Sequence, residues 1–99
     1  MERIAFHLEI ADGKREAYRE MHENVPDALE EAYLSSRAGI ESYSVFERNG
    51  HVFGYMEVEN PAIIRRVMET SDAQSDWDEV MDSVLEDGES WLDEVYRMK

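Results

Sequence analysis

Hydrophobic and polar residues alternate along residues 3–10. Ile4, Phe6, Leu8 and Ile10 fall on one side, and Arg3, Ala5, His7 and Glu9 on the other. A period of two predicts a strand buried on one face. Asp12-Gly13 closes it, and Asp12 stands where it would cap a following helix. The period turns helical over residues 14–22, placing Ala17, Tyr18, Met21 and His22 on adjacent faces. Pro26 interrupts, because proline disfavours helix at the residue before it. The helical pattern resumes through Ala28, Leu29, Ala32 and Tyr33 and stops by Gly39, which reads as a C-terminal cap. Residues 40–47 predict a second strand, with Tyr43, Val45 and Phe46 among polar neighbours, and Asn49-Gly50 a type I′ hairpin turn. Residues 51–58 return as a third strand, with Val52, Met56 and Val58 on one face and Phe53 and Tyr55 on the other. Asn60-Pro61 starts a helix, with Asn as cap and Pro at the first helical position, and Ile63, Ile64, Val67 and Met68 form its apolar stripe. After a break at Thr70-Ser71-Asp72, Trp77, Val80, Met81, Val84 and Leu85 recur at helical spacing. Asp87-Gly88 ends that helix, and residues 90–98 predict a last strand containing Trp91, Leu92, Val95, Tyr96 and Met98.

The order β-α-β-β-α-β predicts a ferredoxin-like α+β fold, a four-stranded antiparallel sheet with helices on one face, in a single domain over residues 1–99. Helices can cover one face only, yet the strands carry large apolar residues on both. An exposed aromatic face of that size normally meets a partner, so a homodimer packed sheet to sheet is expected.

Charge narrows the function. Twenty-four acidic residues against ten basic ones give a net charge of −14, with eight Arg and only Lys14 and Lys99 on the basic side. That sign excludes nucleic-acid binding, which runs on phosphate neutralisation by Lys and Arg, and docking on anionic lipid. It fits either an acidic partner surface or a salt-rich cytoplasm, where screening shortens to ~3 Å at 1 M; the second is the preferred expectation. The absence of Cys removes disulfides, thiol nucleophiles and Cys-based metal sites. Glu2 and Arg3 lead straight into Ile4-Ala5-Phe6 without a basic-then-apolar leader, and no apolar run approaches the ~20 residues of a membrane helix, so a cytoplasmic protein is expected.

Few groups are placed for chemistry. Tyr18 and His22, four apart on a helix, present a phenol and an imidazole on one face, able to give and take protons near neutral pH. Spacing alone favours the plainer reading, a core-edge Tyr and a surface His. His7 and His51 share no metal-binding spacing, so no metal site is expected; His7 reads as a sheet residue and His51 as solvated. Residues 69–94 hold eleven acidic side chains and no Lys or Arg, without EF-hand spacing, and read as a solvated face. Trp77 is either core or a platform for the C–H face of a pyranose, and Tyr43 is similarly ambiguous.

These residues, taken in order, resemble the L-rhamnose mutarotase family. The resemblance is carried by Ala5-Phe6, Tyr18-x-x-x-His22, Ala38-Gly39-Ile40-x-Ser42-Tyr43-Ser44-Val45-Phe46, Val52-Phe53-Gly54-Tyr55-Met56-Glu57-Val58, Trp77, and Glu94-Val95-Tyr96. It implies a dimeric α/β barrel that interconverts the α and β anomers of a free pyranose, most simply L-rhamnose, without cofactor. It also implies His22 as proton donor, with Tyr18, Tyr43 and Trp77 binding the monosaccharide. A second proton carrier is required; a bound water, His7 or a carboxylate such as Glu9 would serve. The chain departs from the family pattern at Asp78, which stands where a second Trp is usual, at Val25 in place of a Trp, and in a short segment over residues 86–90. Two other functions fit the same pattern: a non-catalytic sugar-binding dimer, and a dimeric ferredoxin-like monooxygenase or haem-degrading enzyme with a largely apolar pocket.

Overall fold

The computed structural model describes residues 1–86 and 88–99. The Asp87 half of the expected Asp87-Gly88 stop lies outside the described residues. Eight elements follow one another: β1 (Glu2–Glu9), α1 (Arg15–Glu23), α2 (Asp27–Leu34), β2 (Ile40–Arg48), β3 (His51–Val58), α3 (Pro61–Thr70), α4 (Asp72–Asp82) and β4 (Ser90–Leu92). The strands form one antiparallel sheet in the order β2-β3-β1-β4, the ferredoxin-like arrangement that the element order predicts. Each crossover contains two helices, split at Asn24–Pro26 and at Ser71. Ser71 ends α3 and caps α4 by accepting from the Gln74 N–H. Asn60 caps α3 as expected, its Oδ1 accepting from the Ala62 N–H at 3.2 Å. Among the described residues, no helix is long and apolar enough to cross a membrane.

Alternation decides which side of the sheet is covered. In the β1–β3 register Ile4 faces Met56, Phe6 faces Gly54 and Leu8 faces Val52, all towards the helices. Val52, Met56, Val58 and Ile64 are fully buried there, each stabilising the fold by ~1.5–3 kcal/mol relative to exposure. A Cβ at Gly54 would lie 2.0 Å from the Phe6 ring, so glycine is what lets Phe6 lie flat against β3. Two buried groups result. One gathers Phe6, Met56, Val58 and Ile64 beneath α3, and the other Ile10, Tyr18, Val52, Met81 and Val84 beneath α1 and α4. Asn49 and Gly50, at φ 52 and 84, make the left-handed pair that a type I′ turn requires.

Three local expectations fail. Asp12 does not cap α1; Lys14 holds that position without a side-chain bond, and a Lys14 N–H to Ala11 C=O turn precedes it. Helix α2 ends at Leu34, where the Ser35 hydroxyl turns back to the Glu31 carbonyl, so Gly39 lies in the connection just before β2 rather than capping the helix. The last strand stops at Leu92, because β1 pairs with it only from Ala5 to His7. Residues 93–99 continue without a strand partner, leaving Val95, Tyr96 and Met98 exposed.

Candidate active site

Between the two buried groups the helix layer parts from the sheet and leaves a cavity of about 520 Å³. This lies within the ~300–1,000 Å³ typical of small-ligand sites. Phe6 and Leu8 of β1 form its floor, α1 contributes Tyr18 and His22, β2 contributes Tyr43 and Val45, and α4 contributes Trp77 and Asp78. All four expected site residues, Tyr18, His22, Tyr43 and Trp77, therefore line one cavity. They come from two helices and a strand, which the crossover brings within a side chain's reach of one another.

His22 is the most constrained of them. Its Nδ1 lies 2.9 Å from the Tyr18 carbonyl oxygen. A carbonyl only accepts, so Nδ1 carries a proton and the remaining lone pair sits on Nε2. The ring packs at 4.3 Å between centroids against Tyr18, the buried residue one turn earlier, and meets Trp77 edge-on at 5.3 Å and 83°. Trp77 packs half-buried against the group that contains Val52 and Met81 and also lines the cavity.

Most of the lining is apolar, and one chain of polar side chains crosses it. The Tyr33 hydroxyl donates to Gln74 Oε1, and the Gln74 amide donates to Asp78 Oδ1 at 2.7 Å. Glu89, just before β4, completes the lining. Burial pushes the Tyr18 phenol up to about 12, with Tyr43 and Glu47 adding to the shift. Burial, then Glu89, pushes Tyr43 up to about 12 as well, and Tyr33 moves in the same direction. The phenols thus stay protonated at neutral pH and are able to offer hydrogen bonds rather than act as bases. Glu89 is raised above the usual carboxylate range by burial and by the charge of Asp78.

Sequence reasoning missed Tyr33, Gln74 and Glu89. Gln74 and Asp78 are four apart on α4, a spacing that could have flagged them. Nothing in the acidic stretch separates Glu89 from its solvated neighbours. Two named candidates for the second proton carrier are excluded: His7 and Glu9 share a face with Phe53 and His51, on the side of the sheet away from the cavity. There His7 is a β1 residue and His51 is exposed, as expected, and their Nε2 and Nδ1 atoms are 3.0 Å apart.

A family model described as L-rhamnose mutarotase matches residues 3–98. The L-rhamnose mutarotase of Listeria monocytogenes serovar 1/2a is 33% identical over 79 residues, covering 78% of this chain and 74% of the relative. The same protein from serotype 4b aligns equally well, at 33% over 79 residues. Among solved structures, L-rhamnose mutarotase from Formosa agariphila superposes with a TM-score of 0.81 over 100% of both chains, at 20% identity. An antibiotic biosynthesis monooxygenase superposes with a TM-score of 0.66 at 12% identity, covering 97% of this chain and 100% of its own, a likeness of fold alone.

Proposed function

Because the chain belongs to the L-rhamnose mutarotase family, we propose that its cavity opens and recloses the ring of L-rhamnose, with His22 delivering the proton. Family membership makes the protein an isomerase that interconverts sugar anomers. Ring opening needs a proton placed on the ring oxygen while the anomeric hydroxyl loses one. The free aldehyde then rotates about C1–C2 and closes on its other face.

The observation that supports His22 most is the bond from its Nδ1 to the Tyr18 carbonyl. It leaves Nε2 as the position where a proton is gained or given, next to Trp77. Protonated at Nε2, the ring is the acid; after ring opening it is neutral and takes the proton back on closure. Glu89 suits the second carrier, since it lies in the cavity and its raised pKa marks a carboxylate that holds a proton readily. Proton count balances: Glu89 takes the anomeric proton as His22 gives one, and both return on closure. Trp77 supplies an apolar face for the sugar's C–H groups, while Tyr18, Tyr43 and the Tyr33–Gln74–Asp78 chain offer partners for its hydroxyls.

Two further parts of the reading concern assembly. The chain is one domain over residues 1–99, and it pairs with a second copy through the open sheet face. That face exposes Phe46 (62%) and Phe53 (46%), which are cross-strand partners, and Val95 and Tyr96 after β4 are exposed as well. Light scattering after gel filtration should give twice the 11.6 kDa chain mass, and Phe53→Asp should reduce it to a monomer.

The activity is tested by NMR saturation transfer between the α and β signals of L-rhamnose, with L-fucose and glucose alongside. Enzyme-dependent exchange that is fastest with L-rhamnose is expected. Sugar binding without accelerated exchange would make the protein a sugar-binding module instead.

A further inference from the structure

On the face of the sheet opposite the cavity, three groups from two strands converge. Glu9 of β1 is the cross-strand partner of His51, the first residue of β3, and His7 lies two residues before Glu9, so all three side chains leave the sheet on the same side. His7 Nε2 is 3.0 Å from His51 Nδ1, and His51 Nδ1 is 3.9 Å from Glu9 Oε1. One ligand atom from each of the three lies within 4.8 Å of the others. We propose that His7, His51 and Glu9 bind one divalent transition-metal ion of the class that prefers imidazole nitrogen, as Zn²⁺ and Ni²⁺ do.

The spacing is what coordination requires. Metal–nitrogen bonds of ~2.0–2.1 Å put two ligands ~2.8 Å apart at a right angle and ~3.4 Å apart at a tetrahedral one. The observed 3.0 Å between the two nitrogens falls inside that range. The carboxylate must close in on both nitrogens, from 3.9 Å at His51 Nδ1 and from within 4.8 Å at His7, towards the ~3.4 Å of a tetrahedral site, and Glu9 is exposed enough to move, with its side chain 56% accessible. The imidazoles are already oriented. The His7 ring packs on Phe53 at 5.1 Å and stacks on His51 at 5.3 Å, with only 24° between the two imidazole planes. Without a metal, the facing nitrogens can share one proton but cannot both keep one. A metal ion satisfies both lone pairs and the carboxylate at once. Two nitrogens and one carboxylate suit Zn²⁺ or Ni²⁺ far better than Mg²⁺ or Ca²⁺, which take oxygen ligands. Three protein donors leave the remaining positions to water or to a donor from the second copy proposed to meet this face. Arg48 of β2, the register partner of His51, brings an opposing charge. The net charge of −14 outweighs it in drawing cations to the surface.

The test uses the full chain without a polyhistidine tag, stripped with EDTA and titrated calorimetrically with ZnCl₂, NiCl₂ and MgCl₂. Saturable 1:1 binding of Zn²⁺ and Ni²⁺ is expected, with no comparable response to Mg²⁺. His7→Ala and His51→Ala should each weaken Zn²⁺ binding at least tenfold, while His22→Ala, on the other face, leaves it unchanged. His51 is half exposed at the hairpin, so its variant folds, and melting without metal checks this. Absence of saturable Zn²⁺ binding, or undiminished binding in the His7→Ala/His51→Ala double variant, overturns the proposal. The latter result would assign the ion to the diffuse acidic surface.

Discussion

His22 is held on two sides by different forces. The Tyr18 carbonyl fixes its Nδ1 proton, and the rings of Tyr18 and Trp77 fix its plane. A general acid held this way contributes ~10²–10⁴-fold to a proton-transfer step. Glu89, in contrast, is tuned by its surroundings, because burial and the Asp78 charge make its proton harder to lose. The sign of its pH effect follows. Glu89 must be ionised to accept the anomeric proton, so exchange should decline on the acid side, with a midpoint above the ordinary 4.5 of a Glu. Glu89→Gln should remove that acid limb and lower the plateau at least tenfold, which a pH series of NMR exchange rates measures. Asp78 shows what a sequence can hide at this scale. Its identity reads as a departure from the family's paired tryptophans, while its service to the Gln74 amide and its effect on Glu89 depend on side chains arriving from other elements.

At the scale of elements, α1 has to be anchored for Tyr18 and His22 to face the cavity. Glu47 of β2 provides the anchor from the end of the hairpin. It accepts from Arg15 Nε at 2.9 Å, from Arg19 Nε at 2.7 Å and from the Gly50 N–H at 2.9 Å, with its side chain only 6% accessible. The Arg15 bond, then the Gly50 N–H, hold its carboxyl down to about 2, from an ordinary 4.5. A depressed carboxylate stabilises the fold above its unfolded pKa and loses that stabilisation as pH falls through its folded one. Glu47→Gln should therefore be less stable than the parent at pH 7, and the gap should narrow from about 4.5 downwards and close near 2, as read by urea unfolding across pH. The strands, the I′ turn, the Asn60-Pro61 start and the faces of β1 and β3 were legible because they depend on local period and local turn chemistry. The length of β4 was not legible: alternation continues to Met98, but β1 pairs with it over three residues only. The His7–Glu9–His51 group was hidden for a related reason, since its members are assembled by cross-strand register across a separation of 44 residues.

At the scale of the whole molecule, the sheet divides two kinds of surface. One side closes over a largely apolar cavity with a few polar groups in its wall; the other exposes Phe46, Phe53 and the histidine pair. Acidic residues cover much of the rest, and residues 69–94 contribute eleven of them with no Lys or Arg. From sequence this stretch reads as a solvated face, yet Asp78 and Glu89 from it reach the cavity, so the acidity and the site overlap at two positions. Self-repulsion at −14 is relieved by screening, whose range falls from ~10 Å at 0.1 M salt to ~3 Å at 1 M. The thermal midpoint should accordingly rise by several degrees between low and molar KCl; equal stability without added salt would count against adaptation to a salt-rich cytoplasm. The central claim is that one imidazole in this cavity carries the proton for anomer exchange. Saturation-transfer NMR on L-rhamnose with His22→Ala tests it most directly. Exchange at the uncatalysed rate, in a variant that melts like the parent, is the expected result, and exchange at the parent rate would contradict it.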